Sequence, residues 1–82
     1  MGEPKDPVLA ALGARIRELR DARGMTQADL SKAAGINRIT LSKIERGRED
    51  VGIVRLTRLA ASLEVAVADM LDVDGPSAPR ST

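Results

Sequence analysis

The chain contains no Phe, Tyr, Trp or Cys among its 82 residues, and this absence limits the possible folds more than any other feature. A core without aromatic rings must be filled by Leu, Ile, Val, Ala and Met. That composition suits short, closely packed helices better than a sheet, because strands favour aromatic and β-branched residues. Without cysteine, no disulfide or thiolate metal site can reinforce the fold. We therefore expect one small domain held together by aliphatic contacts.

Apolar residues recur at helical spacing along most of the chain. The first stripe, at i, i+4, i+8 and i+11, consists of Val8, Leu12, Ile16 and Leu19. It predicts a helix that ends at Gly24, since glycine is the usual left-handed stop. Gly13 lies inside this helix, where it costs about 1 kcal/mol relative to Ala. A close contact with another backbone would explain its presence.

Two short helices are predicted next, separated by a tight corner. Thr26 is a good N-cap, and Asp29 three residues later completes a pair similar to a capping box. The helix that begins there covers residues 27–34 and ends at Gly35. Only Gly35, Ile36 and Asn37 then separate it from the following helix, so the two must meet at a sharp angle.

The remaining helices are marked by caps and by apolar spacing. Asn37 is a good N-cap for a third helix over residues 38–46, which ends at Gly47. A polar loop follows, and the spacing then predicts a fourth helix over residues 53–63 and a fifth helix, marked by Val67, Met70 and Leu71, that is only about two turns long. The fold class expected is therefore all-α, a compact bundle of five helices.

The two ends of the chain differ in composition from the helical segment. Residues 1–7 hold two prolines and no apolar side chain except Met1, which favours a flexible arm, and residues 73–82 are rich in Gly, Pro and Ser, which favours a disordered tail. Residues 8–72 form the predicted domain. No apolar run approaches the roughly 18–20 residues that cross a bilayer, and the N-terminus lacks the pattern of a signal peptide. We expect a cytoplasmic protein with no membrane partner.

The net charge of +1 hides a strong asymmetry. Residues 15–48 hold nine basic and four acidic side chains, a net charge of +5, whereas residues 49–82 sum to −3 and residues 1–14 to −1. Such a field attracts polyanions and orients them. A basic but merely solvated helical surface would give the same numbers, so charge alone leaves both interpretations open.

The third helix has the outward chemistry of a major-groove reader. Its inward positions, together with those of the second helix and the corner, are Leu30, Ala34, Ile36, Leu41 and Ile44. The positions left outward are Arg38, Ile39, Ser42, Lys43 and Arg46. Long donors can bind guanine O6 and N7, and an apolar side chain can contact a thymine methyl. Double-stranded DNA is therefore the expected partner.

Four segments of the chain, in order and at matching spacing, resemble one protein family. They are R-I-R-E-L-R at residues 15–20, G-M-T-Q-A-D-L at residues 24–30, Gly35 in the turn, and K-I-E-R-G at residues 43–47. The chain resembles the Cro and phage-repressor (XRE-like) helix-turn-helix family over about residues 11–71. The resemblance implies a bundle like that of lambda repressor, with its third helix in the major groove and its second across the backbone.

The same resemblance assigns roles to individual residues. It implies base reading by Arg38, Ile39 and Lys43, with Ser42 able to read bases or touch the backbone. It implies phosphate contacts near the two helix starts and along the third helix, from Thr26, Gln27, Asn37, Thr40 and Arg46. Arg48 in the following loop is available for a backbone contact as well.

The resemblance also implies a structural ion pair between Arg20 of the first helix and Glu45 at the end of the third. The chain departs from the family just before the fourth helix, where a proline followed by Ser or Thr is common. Val51 and Gly52 stand there instead. We expect the fourth helix to begin with a poor cap.

Self-association is expected from the apolar residues late in the chain. The short fifth helix carries Val67, Met70 and Leu71, and so many aliphatic groups near the end of a small chain indicate a partner surface. A homodimer that represses transcription from an inverted repeat is the function expected. The alternative is an antitoxin or adaptor whose main role is to bind a protein partner, and the two can coexist.

Enzymatic functions have little support in the composition. The chain has no histidine for proton transfer near neutral pH and no cysteine nucleophile. It also lacks a glycine-rich phosphate loop, and its carboxylates are scattered rather than clustered as metal ligands. We expect no catalytic residues, no metal and no cofactor.

Overall fold

Five helices make up the part of the chain that the computed structural model describes, residues 6–72. They are α1 (Pro7–Ala22), α2 (Gln27–Ala34), α3 (Arg38–Glu45), α4 (Ile53–Leu63) and α5 (Val67–Met70). No strand occurs among these residues. The predicted all-α fold with five helices is confirmed. Residues 1–5 and 73–82, which hold most of the predicted arm and all of the predicted tail, lie outside the described residues.

Helix α1 begins earlier than the apolar pattern indicates. The Asp6 side chain caps it by accepting a hydrogen bond of 2.8 Å from the amide of Val8, and Pro7 occupies the first helical position. Proline suits that position because its fixed φ is already helical and its missing N–H is not needed there. The prediction that the flexible arm extends through residue 7 is therefore wrong at that residue, because Pro7 belongs to α1.

The core draws on every helix. Its buried aliphatic residues are Leu12, Ile16, Leu30, Ala34, Ile36, Leu41, Ile44, Val51, Leu56, Leu59, Ala60, Leu63 and Met70. Leu19 packs against this cluster while partly exposed. Val8, the first member of the predicted stripe, is exposed, so the buried face of α1 begins one turn later at Leu12.

Two glycines allow α1 to cross the end of α3 at backbone contact. A Cβ at Gly13 would lie 2.7 Å from the carbonyl oxygen of Glu45, and closer still to that of Ile44. A Cβ at Gly47 would lie 2.7 Å from the Cα of Ala10. The predicted close contact at Gly13 is confirmed. It fixes the C-terminal end of α3 against the first helix.

Local hydrogen bonds define the corner between α2 and α3. Thr26 and Asp29 form a full capping box: the Asp29 amide donates to Thr26 Oγ1 at 3.0 Å, and the Thr26 amide donates to Asp29 Oδ2 at 2.9 Å. Gly35 ends α2 in the left-handed region at φ 67°. Asn37 Oδ1 then accepts from the amide of Ile39 at 2.8 Å and starts α3.

The loop between α3 and α4 is anchored by one buried side chain. Val51 is 4% exposed and joins the core, while the ion pair between Glu49 and Arg55 closes the loop at 3.0 Å. Gly52 precedes α4 at φ 79° and supplies no side-chain cap, as the sequence predicts. Helix α4 therefore begins with neither a capping side chain nor a buried first turn.

Candidate DNA interface

Helix α3 presents an exposed face opposite its buried one. Leu41 and Ile44 point into the core, whereas Arg38, Ile39 and Lys43 are exposed. Ile39 is 68% exposed, an unusual position for a large aliphatic side chain on a helix that supplies three other residues to the interior. Four of the five predicted outward positions are exposed, and the fifth, Ser42, is half-buried beneath them.

The cationic groups on and after α3 are not neutralised. Within residues 6–72, none of Arg38, Lys43, Arg46 and Arg48 forms an ion pair with a carboxylate; Arg46 Nε donates only to the carbonyl of Ser42, at 3.4 Å. Among the residues that the structure describes, Lys32 on α2 and Arg58 on α4 also lack such a pair. The arginines that do pair with carboxylates are Arg15, Arg17, Arg20, Arg23 and Arg55. Unpaired positive charge is thus concentrated on the α3 face.

A buried network joins three helices behind this face. Arg20 of α1 binds Glu45 in a two-pronged arrangement, Nε to Oε2 at 2.8 Å and Nη2 to Oε1 at 3.0 Å. The Glu45 side chain is 2% exposed. Hydrogen bonding to that carboxylate raises the pKa of the Arg20 guanidinium above its ordinary value, so Arg20 keeps its positive charge at physiological pH. The predicted structural ion pair is present.

Gln27 is a member of this network that sequence reasoning missed. Its Nε2 donates to Glu45 Oε1 at 2.9 Å and so joins the first residue of α2 to the last residue of α3. The expectation drawn from family resemblance was a phosphate contact alone. The feature that could have indicated this hydrogen bond is the long polar side chain of Gln27 at the start of α2, near the carboxylate of Glu45 that is buried at the end of α3. The second N–H of the Gln27 side-chain amide can still donate to another acceptor.

The amides at the two helix starts are partly occupied. Those of Ile39 and Thr40 donate to Asn37 Oδ1, and that of Asp29 donates to Thr26. A phosphate at the start of α3 would therefore compete with Asn37 itself. At the start of α2, the amides of Gln27 and Ala28 have no acceptor among the described residues, so this end is better suited to bind an anion.

The three residues predicted for a dimer interface have different environments. Met70 is completely buried in the core of the single chain, so its predicted role at an interface is wrong. Val67 is half-buried and packs against the same core. Leu71 alone of the three is exposed. Helix α5 is short, and packing its one turn onto α1 and α4 uses most of its apolar surface.

Other kinds of site find no support in the described residues. No group of three or more acidic, cysteine or histidine side chains lies close enough to hold a metal ion between residues 6 and 72. None of the described helices is both long enough and apolar enough to span a bilayer.

A bundle with a glycine corner and an exposed, cationic third helix defines a helix-turn-helix DNA-binding protein. The family model described as helix-turn-helix matches residues 16–70. The chain belongs to this family, whose members are DNA-binding transcription regulators, and the resemblance to the Cro and phage-repressor type is confirmed.

Three known proteins illustrate the relationship. The HTH-type transcriptional regulator DdrOP3 of Deinococcus deserti is 40% identical over 58 residues, which cover 71% of this chain but only 45% of that regulator. The restriction-modification controller protein C.AhdI of Aeromonas hydrophila superposes with a TM-score of 0.74 at 34% identity, covering 76% of this chain and 94% of the controller. The biofilm regulator SinR, solved in complex with DNA, gives a TM-score of 0.71 at 34% identity, with 74% and 98% covered.

Proposed function

We propose that this protein is a sequence-specific regulator of transcription that binds an inverted-repeat operator as a dimer and represses the adjoining gene. The observation that carries the proposal is the exposed face of α3, where an uncovered Ile39 lies among cations that no carboxylate within residues 6–72 neutralises. Because an exposed isoleucine is unfavourable in water, this combination is best explained by a ligand that offers both apolar and anionic groups. The major groove of DNA offers both.

Each residue of this face has a proposed part in binding. With α3 in the major groove, the Arg38 guanidinium donates to guanine O6 and N7, Lys43 donates to a second base, and Ile39 contacts a thymine methyl. Ser42 lies lower on the same face and binds a base edge or a phosphate.

The backbone contacts come from the rim of this face. Arg46, Arg48 and Thr40 bind phosphates along the groove, and the free amides at the start of α2 bind the phosphate across it. The second N–H of Gln27 is directed to that same phosphate. These contacts set the orientation of α3, and the base contacts then supply the specificity.

The names of similar proteins support the proposal. SinR was solved in complex with DNA, C.AhdI is named a restriction-modification controller protein, and DdrOP3 is named a transcriptional regulator. Residues 7–72 are accordingly proposed as the DNA-binding domain, with the residues on either side of it as flanking segments. A chromosomal operator would place the protein in the cytoplasm.

Binding to phosphates sets the expected dependence on salt. Four unpaired cations lie on the α3 face or in the loop after it. Arg46 and Arg48 are the two that are proposed to bind phosphates. If each neutralises one phosphate, the logarithm of the binding constant should fall against the logarithm of the salt concentration with a slope of about −1.8 per half-site. A slope near zero would mean that the face does not meet the backbone.

Selection from a random pool of duplexes, followed by binding measurements on the selected sequence, tests the proposal. Arg38→Ala should lower the affinity for the selected site by about 1–3 kcal/mol and relax the preference at one base position, with a smaller loss on random DNA. Arg17→Ala is the matched control, because it removes the same charge from an exposed position on α1. Equal losses on selected and random DNA would remove Arg38 from base reading, and a pool with no enriched sequence would refute the proposal.

A further inference from the structure

An arginine of α4, outside the two helices of the corner, has no role in the contacts described so far. Arg58 is exposed, and within residues 6–72 its side chain forms neither a hydrogen bond nor an ion pair. Its guanidinium nevertheless reaches the corner between α2 and α3. A Cβ at Gly35 would lie 3.7 Å from Arg58 Nη1. An unpaired guanidinium thus lies over the glycine that turns the chain into α3.

The C-terminal end of α2 does not use the donors of this guanidinium. A cation at that end favours the helix through the partial negative charge of its carbonyl groups. Two of these carbonyls already accept hydrogen bonds from the corner itself, Ser31 from the amide of Ile36 at 2.9 Å and Lys32 from the amide of Gly35 at 3.4 Å. The N–H groups of Arg58 therefore remain available to a ligand.

The charge around the corner is mainly positive. Lys32 in the last turn of α2 and Arg38 at the start of α3 are both exposed, and neither forms an ion pair in the described part of the chain. With Arg58 they make three cations contributed by three helices. Such a cluster attracts an anion.

The carboxylates near these cations do not pair with them. Helix α4 contains no acidic residue. The acidic residues at the two ends of α4 and on α2 have other partners: Glu49 binds Arg55 at 3.0 Å, Glu64 binds Arg23 at 3.2 Å, and Asp29 accepts from the amide of Thr26 at the opposite end of α2. Asp29 offsets part of the Lys32 charge, and Asp50 in the loop before α4 forms no ion pair within residues 6–72. Arg58 therefore adds positive charge to the corner that no ion pair cancels.

We propose that the Arg58 guanidinium binds a phosphate of the DNA strand that borders the major groove at the start of α3. The inference rests on the proposed function, in which α3 lies in that groove and Arg38 reads a base. Three residues of extended chain span at most about 11 Å, so Gly35 lies within that distance of Arg38. The major groove is about 12 Å wide. A guanidinium held over Gly35 is therefore within reach of the edge of the groove, where the phosphates lie.

Arginine from α4 supplies what the start of α3 lacks. The amides of Ile39 and Thr40 already donate to Asn37 Oδ1, so this helix start offers few backbone donors to a phosphate. The planar fork of a guanidinium can donate two parallel hydrogen bonds to one phosphate. Arg58 thus holds the strand beside the start of α3 and helps to fix the orientation of that helix in the groove, without reading a base itself.

Arg58→Gln, measured against the wild type over a range of salt concentrations, tests this inference. The position is exposed, so the variant should keep the wild-type fold. It should weaken binding to selected and random duplexes by the same factor, because a phosphate contact carries no sequence information. Its plot of the logarithm of the binding constant against the logarithm of the salt concentration should be flatter by about 0.9, the contribution of one phosphate. The advantage of the wild type should accordingly shrink about 3-fold when salt is raised from about 50 to 200 mM.

Two further variants separate a phosphate contact from a general effect of charge. Arg58→Lys keeps the positive charge and should keep the wild-type slope, while it loses affinity with the two-pronged geometry. Arg17→Gln removes one positive charge from an exposed position on α1 and should leave the slope unchanged. A series of selected duplexes, each with one phosphate replaced by an uncharged methylphosphonate, then locates the contact. The wild type should lose affinity at a phosphate beside the base that Arg38 reads, and Arg58→Gln should not respond to that replacement.

Either of two results would overturn the inference. The first is an Arg58→Gln variant with the wild-type slope, and if its melting temperature is also lower, the arginine serves only to stabilise α2. The second is a variant that responds to every methylphosphonate as the wild type does. The salt measurement can be made on any duplex. A wild-type protein with no preferred sequence would therefore remove the proposed function, while the slope on random DNA would still decide the role of Arg58.

Discussion

Gly13 offers the sharpest test of how α1 holds α3 in place. Replacing glycine by alanine in the middle of a helix normally stabilises a protein by about 1 kcal/mol. Here a methyl group would be placed 2.7 Å from the carbonyl oxygen of Glu45 and would also overlap that of Ile44. The neighbours are backbone atoms at the end of α3, which cannot rotate aside as a side chain could. Gly13→Ala is therefore expected to destabilise the protein.

The size of the effect follows from two opposing contributions. Overpacking a well-filled interior typically costs 1–3 kcal/mol, and rigid backbone neighbours place this site near the upper value of about 3 kcal/mol. After the gain of about 1 kcal/mol in helix propensity is subtracted, the free energy of unfolding should fall by about 2 kcal/mol. For a domain of this size, that loss lowers the melting temperature by about 8–16 °C.

Thermal and urea unfolding, followed by far-ultraviolet circular dichroism, measure this difference. The matched control is Ala14→Gly at the next position, which is exposed. It should cost about 1 kcal/mol through helix propensity alone. Both variants should thus be less stable than the wild type, although one adds and the other removes a methyl group. If Gly13→Ala melts at or above the wild-type temperature, the close crossing of α1 and α3 is not a constraint on the fold.

Two further predictions concern charged side chains. Glu45→Ala leaves the buried Arg20 guanidinium without its partner and should reduce the free energy of unfolding by about 3–5 kcal/mol. In urea titrations, the double variant Arg20→Met with Glu45→Leu should recover part of that loss; an Ala variant as stable as the wild type would contradict a structural role for the pair. Asp29→Asn weakens the cap of α2. Because the capping box lowers the pKa of the Asp29 carboxyl below its ordinary 3.8, its stabilisation is complete above that pH and is lost as the pH falls through the lower folded value. Unfolding curves of variant and wild type should accordingly differ at neutral pH and converge in strong acid, and a gap that does not depend on pH would contradict this origin.

Local sequence determined most of the helix boundaries. The caps and stops of α2 and α3 act through hydrogen bonds and backbone angles within a few residues, so their effect is predictable without the tertiary structure. They are the capping box of Thr26 and Asp29, the left-handed Gly35, and the N-cap Asn37. The outward face of α3 was predictable for a similar reason. Helical periodicity places Leu41 and Ile44 on one side and Ile39 on the other wherever the helix packs.

The tertiary structure determined which apolar and polar side chains are already engaged in contacts within the chain. The spacing of α5 is the same whether Met70 enters the core or faces a partner, and only its packing on the other helices buries it. Gln27 and Glu45 are 18 residues apart, and their hydrogen bond exists because the corner at Gly35 folds α3 back toward the start of α2. The sequence alone therefore determined the helices and the chemistry of the exposed face of α3. The folded chain determined which side chains remain free to bind, because burial and long-range contacts depend on where distant segments meet.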